Sequence, residues 1–215
     1  MIVFMATLSS LLKNLSSDFD SQILDFGCGD GREMDSLRKF GFKNLKGFDV
    51  APWSSAATGD ETITYDPDSI GFLEKNESKF DVIFSRDSAY YIPVEQQDRL
   101  WRAFYGALKP QGKIVVITFN GALSTSAWIL QKDLGIQFAY NEKTLLSLPQ
   151  KAGFANVKVE KIKPEHRSIV GAAFFWFVLG CGELNSRMRY FTERGLDSQN
   201  PRLFSKQIVM TAQKP

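Results

Sequence analysis

The glycine-rich turn at residues 27–31 constrains the fold of this chain more than any other feature. It follows a short apolar run at residues 23–26 and precedes a helix-like run from Arg32 to Phe40, so the pattern predicts a strand, a turn and a helix in succession. Glycine lets the backbone turn tightly and approach a ligand closely, and the start of a helix offers N–H groups without partners inside the helix. The sequence therefore predicts a nucleotide-type cofactor site at the carboxyl end of a first strand.

Apolar runs that suit strands alternate with helix-like segments as far as residue 119. This alternation predicts an α/β fold with a doubly wound, mostly parallel sheet and helices on both faces. A length of 215 residues suits a single domain over residues 1–215. Gly41 is expected to end the first helix, and residues 109–112 are expected to form a turn. We predict the remaining strands at residues 45–50, 63–65, 80–85, 113–119, 157–162 and 207–212, and helices at residues 32–40, 94–108 and 142–152.

Two segments lie outside this alternation. Residues 1–21 form an N-terminal segment, in which leucines at helical spacing predict an amphipathic helix at residues 6–17. Residues 163–205 form an insertion between the last two strands, and its apolar part at 169–181 is shorter than the roughly 20 residues that cross a bilayer. A buried helix is the favoured interpretation of this apolar part. A lid over a substrate pocket and an interface for a homodimer are the alternatives.

The composition narrows the class of partner. The formal net charge is +2 and basic residues form no stripe, so no nucleic-acid partner is indicated. Cys28 and Cys181 lack disulfide or metal-ligand spacing and suit free thiols in a reducing cytoplasm. His166 is the single histidine, so no metal site is expected. The apolar start lacks a basic leading region, and we therefore expect a cytoplasmic protein without a signal peptide or transmembrane segment.

The charge around the glycine turn discriminates between cofactors. A dinucleotide fingerprint has its third glycine one residue later than Gly31. A pyrophosphate here would meet several carboxylates, and like charges repel strongly in a partly desolvated cleft. The same carboxylates suit a ligand that carries an ammonium and a sulfonium, while its own carboxylate lies at the helix N-terminus. S-adenosylmethionine has all three groups, and a nicotinamide-dinucleotide-dependent oxidoreductase is the alternative. The carboxylates are Asp25, Asp30, Glu33 and Asp35.

Three motifs together resemble the class I S-adenosylmethionine-dependent methyltransferases. They are Asp25-x-Gly27-x-Gly29-x-Gly31, the acid Asp49 at the end of the second strand, and residues 108–113 before the fifth. The resemblance covers about residues 20–162. It implies a seven-stranded sheet of strand order 3-2-1-4-5-7-6, with an antiparallel last strand beside the sixth. It also implies S-adenosylmethionine as cofactor and S-adenosylhomocysteine as product.

The resemblance assigns roles at the carboxyl ends of the first four strands. The glycine turn would line the methionine part of the cofactor, with Asp25 near its amino group. Asp49 would accept hydrogen bonds from both ribose hydroxyls, and its alternative role is to cap a helix opened at Pro52. Asp66 would face the adenine amino group or simply belong to an ordinary turn. The implied cofactor-binding residues are Asp25, Gly27, Cys28, Gly29, Gly31, Asp49, Val50, Asp66, Ser85 and Arg86.

Three of these residues carry further expectations. Val50 would pack on adenine, and Ser85 and Arg86 would pass close to the methionyl moiety. Arg86 is charged where an uncharged residue is expected beside a cationic cofactor, so we expect it to point away and pair with Asp87. Cys28 is expected to be a small residue in a tight turn and not a nucleophile.

The acceptor side of the site is less clearly marked. Methyl transfer from a sulfonium is an in-line displacement, so positioning supplies most of the catalysis, and a general base is needed only when the acceptor must lose a proton. Tyr90 and Tyr91 follow the fourth strand and are the substrate-binding candidates, although one of them suits the core. Tyr91 and His166 are the candidates for a catalytic group, although a polar surface loop suits His166 better. Arginines after the apolar segment could clamp an anionic acceptor or form a solvated face: Arg187, Arg189 and Arg194.

These patterns predict a methyltransferase that acts on a small organic molecule. A non-catalytic, cofactor-binding protein of the same fold is the remaining alternative.

Overall fold

The computed structural model describes residues 18–52, 59–123, 126–162 and 207–215, together with residues 181, 184, 185, 187, 188 and 203. The predicted helix at residues 6–17 lies outside the described residues, as do His166 and most of the insertion at 163–205. In the part of the chain that is described, no helix is long and apolar enough to cross a membrane.

Seven strands of the described chain form one sheet in the order β3-β2-β1-β4-β5-β7-β6. The first five strands pair in parallel, and β7 is antiparallel to both β5 and β6. The predicted doubly wound sheet and its strand order are therefore confirmed. The strands are β1 (Gln22–Phe26), β2 (Asn44–Asp49), β3 (Ile63–Tyr65), β4 (Phe80–Arg86), β5 (Leu108–Phe119), β6 (Ala155–Lys161) and β7 (Gln207–Gln213), and the helices are α1 (Arg32–Phe40), α2 (Ser69–Glu74), α3 (Gln97–Ala107), α4 (Ser126–Lys132) and α5 (Glu142–Lys151).

Helices cover both faces of the sheet, as its near-continuous apolar strands require. On one face, Met34 and Leu37 of α1 are fully buried. On the other face, Leu100, Trp101 and Phe104 of α3 are fully buried in a separate cluster. This packing holds β1 and β4 side by side at the centre of the sheet, so their carboxyl ends meet at one edge.

Two helices are not predicted from the sequence. α2 has six residues and α4 has seven, too few for a helical spacing of apolar side chains to stand out. Asp68, two residues after the predicted turn residue Asp66, accepts a hydrogen bond from the Gly71 N–H and caps α2. The predicted turn and the helix are consecutive parts of one connection.

β5 begins earlier than predicted. Leu108 pairs with Phe80, and the next paired positions are Lys113 and Val82, so residues 109–112 lie between them. The predicted turn is thus an irregularity inside β5, because the residues on both sides of it remain paired with β4.

Candidate active site

The glycine turn between β1 and α1 is anchored on β2. Gly27, Gly29 and Gly31 have φ angles of 81°, 59° and 79°, in the left-handed region that favours glycine. The N–H groups of Gly27 and Cys28 donate to the Phe48 carbonyl at 2.7 and 3.0 Å. The predicted strand, turn and helix are therefore present, and the conformation of the turn explains the spacing of its glycines.

Gly27 must also lack a side chain because Ser88 occupies the adjacent space. A Cβ atom on Gly27 would lie 2.1 Å from the Ser88 Cβ. The Ser88 hydroxyl donates to the Phe26 carbonyl at 2.7 Å and lies 2.8 Å from the Ser85 Oγ. Ser88 thereby ties the connection after β4 to the end of β1, and the completely buried Ser85 supports this contact.

Gly27→Ala is expected to lower the free energy of unfolding by about 2–4 kcal/mol, because the methyl group collides with Ser88 and the left-handed backbone disfavours alanine. Urea unfolding of the full chain measures the loss. Gly106→Ala is the matched control, since a Cβ on Gly106 in α3 meets no described atom within 4 Å. Equal losses in the two variants would contradict this account of the turn.

A cleft of about 190 Å³ opens at the carboxyl ends of β1 and β4. β1 lies between β2 and β4, and the helices that follow β1 and β4 cover opposite faces of the sheet. Ligands of open α/β sheets bind at such a switch point. Of the described residues that line the cleft, three are carboxylates and one is a cation; the lining comprises Asp25, Gly27, Cys28, Glu33, Phe84, Arg86 and Asp87.

Asp25 is the most buried carboxylate of the cleft. It is 3% exposed, and its Oδ2 has no hydrogen-bond partner within the described part of the chain. Burial raises the pKa of Asp25 well above its usual range, the charges of Glu33 and Asp49 raise it further, and Arg86 lowers it. Buried polar atoms in proteins nearly always have a partner. An ammonium group bound in the cleft would supply one, and Asp25 therefore fits the amino group of a methionine moiety.

Asp49 ends β2 and points at the glycine turn. Its two carboxylate oxygens accept hydrogen bonds from the N–H groups of Gly29 and Val50, both at 2.8 Å. The Asp49 side chain is buried, while Val50 beside it is 50% exposed. A fixed carboxylate thus stands next to an exposed apolar side chain, which suits a ribose and its base. The alternative role of Asp49, as the cap of a helix opened at Pro52, concerns residues 53–58, which lie outside the described residues.

Asp66 follows β3 and lies next to Asp49. Its N–H donates to the Asp49 carbonyl at 3.1 Å, and its Oδ1 accepts the N–H of Asp68 at 2.9 Å. The second hydrogen bond closes the ordinary turn, which is one of the two roles that we consider for Asp66. The Asp66 side chain stays partly exposed, so this turn does not prevent a contact with adenine.

Arg86 lines the cleft and does not point away from it, contrary to our expectation. Its Nη1 lies 2.6 Å from the Glu33 Oε1, and its Nε lies 3.9 Å from the Asp87 carboxylate. The expected pairing with Asp87 is the longer of these two contacts, because Glu33 in the first turn of α1 comes closer. One guanidinium among three carboxylates leaves an excess of acid, which favours a ligand of positive charge.

Asp87 lines the cleft, whereas from the sequence we expect it only to pair with Arg86. Its φ of 51° lies in the left-handed region, and its N–H donates to the Ile117 carbonyl at 2.9 Å. Strained backbone of this kind clusters at functional sites. Burial raises the pKa of Asp87 to about 6, with Arg86 lowering it and Glu33 raising it. The sequence does contain a signal for a cleft position, because Asp87 directly follows β4 and Asp49, another site residue, is the last residue of β2.

The two tyrosines after β4 have different surroundings. Tyr90 is 8% exposed, and its ring centroid lies 5.2 Å from that of Phe119, so it is the one that packs in the core. Tyr91 is partly exposed, and its hydroxyl donates to the Asp133 Oδ2 at 2.6 Å. Neither tyrosine belongs to the described residues that line the cleft. Both tyrosines belong to the connection that follows Asp87.

Cys28 is buried inside the glycine turn. Burial raises the pKa of its thiol, and the charges of Asp25 and Asp49 raise it further. Because the thiolate is the reactive form of cysteine, Cys28 has no nucleophilic character here. Within the described ranges, no group of three or more His, Cys, Asp or Glu side chains could hold a metal ion.

Comparisons with known proteins agree with this geometry. A family model described as a methyltransferase domain matches residues 4–159. Phosphoethanolamine N-methyltransferase 2 of Caenorhabditis elegans is 26% identical over 116 residues, which cover 52% of this chain and 25% of that protein. The chain therefore matches only a quarter of the length of this curated relative.

Solved structures share the fold. A SAM-dependent methyltransferase from Archaeoglobus fulgidus superposes with a TM-score of 0.65 at 18% identity, covering 98% of this chain and 94% of that chain. Phosphoethanolamine N-methyltransferase 2 of Haemonchus contortus, in complex with phosphomonomethylethanolamine and S-adenosylhomocysteine, gives a TM-score of 0.62 at 21% identity, covering 98% of this chain and 53% of that chain.

The strand order of the sheet is that of the class I methyltransferase fold. Since the family match extends over most of the chain, the protein belongs to the methyltransferase-domain family, and its cofactor is S-adenosylmethionine. This membership decides against the nicotinamide-dependent alternative.

Proposed function

We propose that this protein transfers the methyl group of S-adenosylmethionine to an amine nitrogen of a small organic acceptor. The observation that carries the proposal is the charge of the cleft, whose described lining has three carboxylates and one guanidinium. Carboxylates in a partly buried site favour ligands of positive charge. The amino and sulfonium groups of the cofactor have this charge, and so does an amine acceptor before it loses its proton.

Residues at the ends of the first four strands and in the glycine turn would hold the cofactor. Asp25 would accept a hydrogen bond from its amino group, and the glycine turn would lie along its methionine part. Asp49 would accept from the ribose hydroxyls, Val50 would cover adenine, and Asp66 would lie near the adenine amino group. Arg86 would border the methionyl end, and Ser85, whose Oγ lies 2.8 Å from the Ser88 Oγ, would hold the connection after β4 in place. When bound, S-adenosylmethionine supplies an electrophilic methyl group on its sulfonium.

Asp87 is the acceptor-side residue in this proposal. A small amine is protonated near neutral pH and must lose that proton before its nitrogen can attack. Asp87 lines the cleft, and its pKa of about 6 leaves it ionised near neutral pH. It can therefore bind the ammonium form of the acceptor and accept its proton.

Phosphoethanolamine is the first acceptor to test, because relatives named for its methylation align with this chain. Its phosphate would need a basic partner, and the arginines of the insertion are the candidates. These arginines are Arg187, Arg189 and Arg194.

The lid or homodimer interface at residues 169–181 and the cytoplasmic location also stay predictions.

A matched set of acceptors tests the proposal. Release of S-adenosylhomocysteine is measured with phosphoethanolamine, with ethanolamine, and with the phosphate ester of ethylene glycol, in which a hydroxyl replaces the amine. We expect release with an amine and none with the hydroxyl analogue. Equal release with the hydroxyl analogue would contradict the amine assignment. Binding of S-adenosylhomocysteine without turnover of any amine would favour the non-catalytic alternative.

A further inference from the structure

We propose that Asp133 is a positioning residue for the acceptor side of the cleft and that, through Tyr91, it fixes the turn that carries Asp87. This inference rests on the proposed function, in which Asp87 is the acceptor-side group. Asp133 directly follows α4 and is 42 positions from Tyr91 in the sequence, so the two meet only in the folded chain. The Tyr91 hydroxyl donates to the Asp133 Oδ2 at 2.6 Å, a short hydrogen bond to a charged acceptor.

The Asp133 carboxylate is held in place by its own turn. Its Oδ1 accepts the N–H of Gly135 at 3.0 Å, so both oxygens are engaged. The Tyr91 ring lies over Gly135, where a Cβ atom would be only 3.3 Å from the Tyr91 Cε1. Asp133 is therefore oriented before it meets the hydroxyl, and forming the bond orders few additional groups.

The backbone of Tyr90 provides a second link between the same two segments. Its carbonyl accepts the N–H groups of Gln137 and Phe138 at 2.9 and 3.0 Å. The Tyr90 ring centroid lies 4.7 Å from that of Tyr91 and 5.2 Å from that of Phe119. Residues 133–138 thus support the turn after β4 through both main chain and side chains.

The other end of the turn is fixed on the cofactor side. The Ser88 hydroxyl is hydrogen-bonded to the Phe26 carbonyl. Asp87, whose φ is 51°, directly precedes Ser88 in the chain.

Asp87 itself is held by the hydrogen bond from its N–H to the Ile117 carbonyl and by the Gln207 Nε2, which lies 3.3 Å from its Oδ2. The connection that follows Asp87 is held at Ser88 and at Tyr91. Releasing the Tyr91 hydroxyl would loosen the far end of this connection, and we expect the Asp87 carboxylate at its near end to become more hydrated as a result.

Tyr91 acts in this arrangement as a donor and not as a base. Burial raises the pKa of its hydroxyl, and the hydrogen bond to Asp133 raises it further. Tyr91 therefore stays protonated near neutral pH. Asp133 does not belong to the described residues that line the cleft, so it reaches the acceptor only through Tyr91 and the turn.

The test follows the titration of Asp87 in the full chain without ligand, by the carboxyl carbon shifts of aspartate-labelled protein. The Asp87 signal is identified as the one that is missing from the spectrum of the Asp87→Asn variant. Its midpoint is expected near 6 in the wild type. In Asp133→Ala and in Tyr91→Phe the midpoint is expected to fall toward the ordinary value, because the carboxylate becomes hydrated. Both variants retain Glu33, Arg86, Gln207 and Tyr90, which interact with Asp87. Tyr91→Phe also removes the Tyr91 hydroxyl, which interacts with Asp87 and which Asp133→Ala keeps.

Further variants separate positioning from general damage. Tyr105→Phe removes a tyrosine hydroxyl on α3 and is expected to leave the Asp87 midpoint unchanged. The double variant Asp133→Ala with Tyr91→Phe is expected to shift it no further than the larger single variant, because both act through one bond. An unchanged midpoint in both single variants would overturn the inference, as would fully additive shifts.

A second pair of measurements distinguishes this inference from the proposed function. S-adenosylhomocysteine affinity of Asp133→Asn and Tyr91→Phe is expected to stay within about twofold of wild type, while kcat/KM for the amine acceptor falls about 10-fold. If the wild type methylates no amine, the proposed function fails, and the Asp87 titration still decides the role of Asp133. A loss of cofactor affinity equal to the loss of kcat/KM would contradict positioning on the acceptor side.

Discussion

Asp49→Ala is expected to weaken S-adenosylhomocysteine binding by at least about 100-fold. The variant removes the acceptor of the Gly29 and Val50 N–H groups, which orders the glycine turn, and also the oxygens proposed to bind the ribose. Hydrogen bonds to a charged group contribute about 1.5–3 kcal/mol each, so the loss of two such hydrogen bonds accounts for a 100-fold loss of affinity. Isothermal titration calorimetry of the full chain measures it directly.

Two matched variants make this result specific. Asp49→Asn keeps the shape of the side chain and one acceptor oxygen, so an intermediate loss of about 10-fold is expected. Asp98→Ala removes a carboxylate whose 2.8 Å ion pair with Lys151 lies at the surface, and it is expected to bind like wild type. Wild-type affinity in Asp49→Ala would place the ribose elsewhere.

The centre of the sheet is predictable because its strands are apolar on both faces. β1 and β4 are buried along almost their whole length, so they stand out as continuous apolar runs bounded by turn residues. β6, at the edge, alternates between half-buried and exposed positions, which also gives a clear period of two. The place of β7 between β5 and β6 has no local pattern, and its prediction comes from the resemblance to a family.

The parts of the site that escape prediction depend on contacts between distant segments. Arg86 meets Glu33 across 53 positions, whereas our expectation that it pairs with Asp87 followed nearness in sequence. Asp133 meets Tyr91 across 42 positions, and no spacing rule connects them. Strand ends thus indicate where a site lies, but tertiary packing decides which side chains become partners there.

The ionised carboxylates of the cleft destabilise the ligand-free fold. Burial raises the pKa of both Asp25 and Asp87, so ionising either group is less favourable in the folded chain than in the unfolded chain. A ligand of positive charge supplies the missing opposite charge and lowers both pKa values again. The features that make the empty cleft unfavourable therefore make it selective for a cationic ligand.

Asp87→Asn is expected to lower kcat for an amine acceptor by about 100-fold or more, while S-adenosylhomocysteine affinity stays within about threefold of wild type. The amide can neither accept the proton of the acceptor nor attract its ammonium by charge. In the wild type, kcat/KM is expected to rise with pH through about 6 as Asp87 ionises, and the variant should lack this rise. Initial rates across this pH range, at saturating S-adenosylmethionine and with the amine that gives turnover, measure both effects.

Stability measurements separate this loss from damage to the fold. Because the pKa of Asp87 is raised in the folded chain, its contribution to stability is fully present below the ordinary pKa of 3.8 and is lost as the pH rises through about 6. Asp87→Asn is therefore expected to resist urea at least as well as wild type near neutral pH. An inactive variant that is equally stable and binds the product assigns the loss to the acceptor step, whereas a variant with wild-type rates and an intact rise near pH 6 would rule out Asp87 as the acceptor-side base.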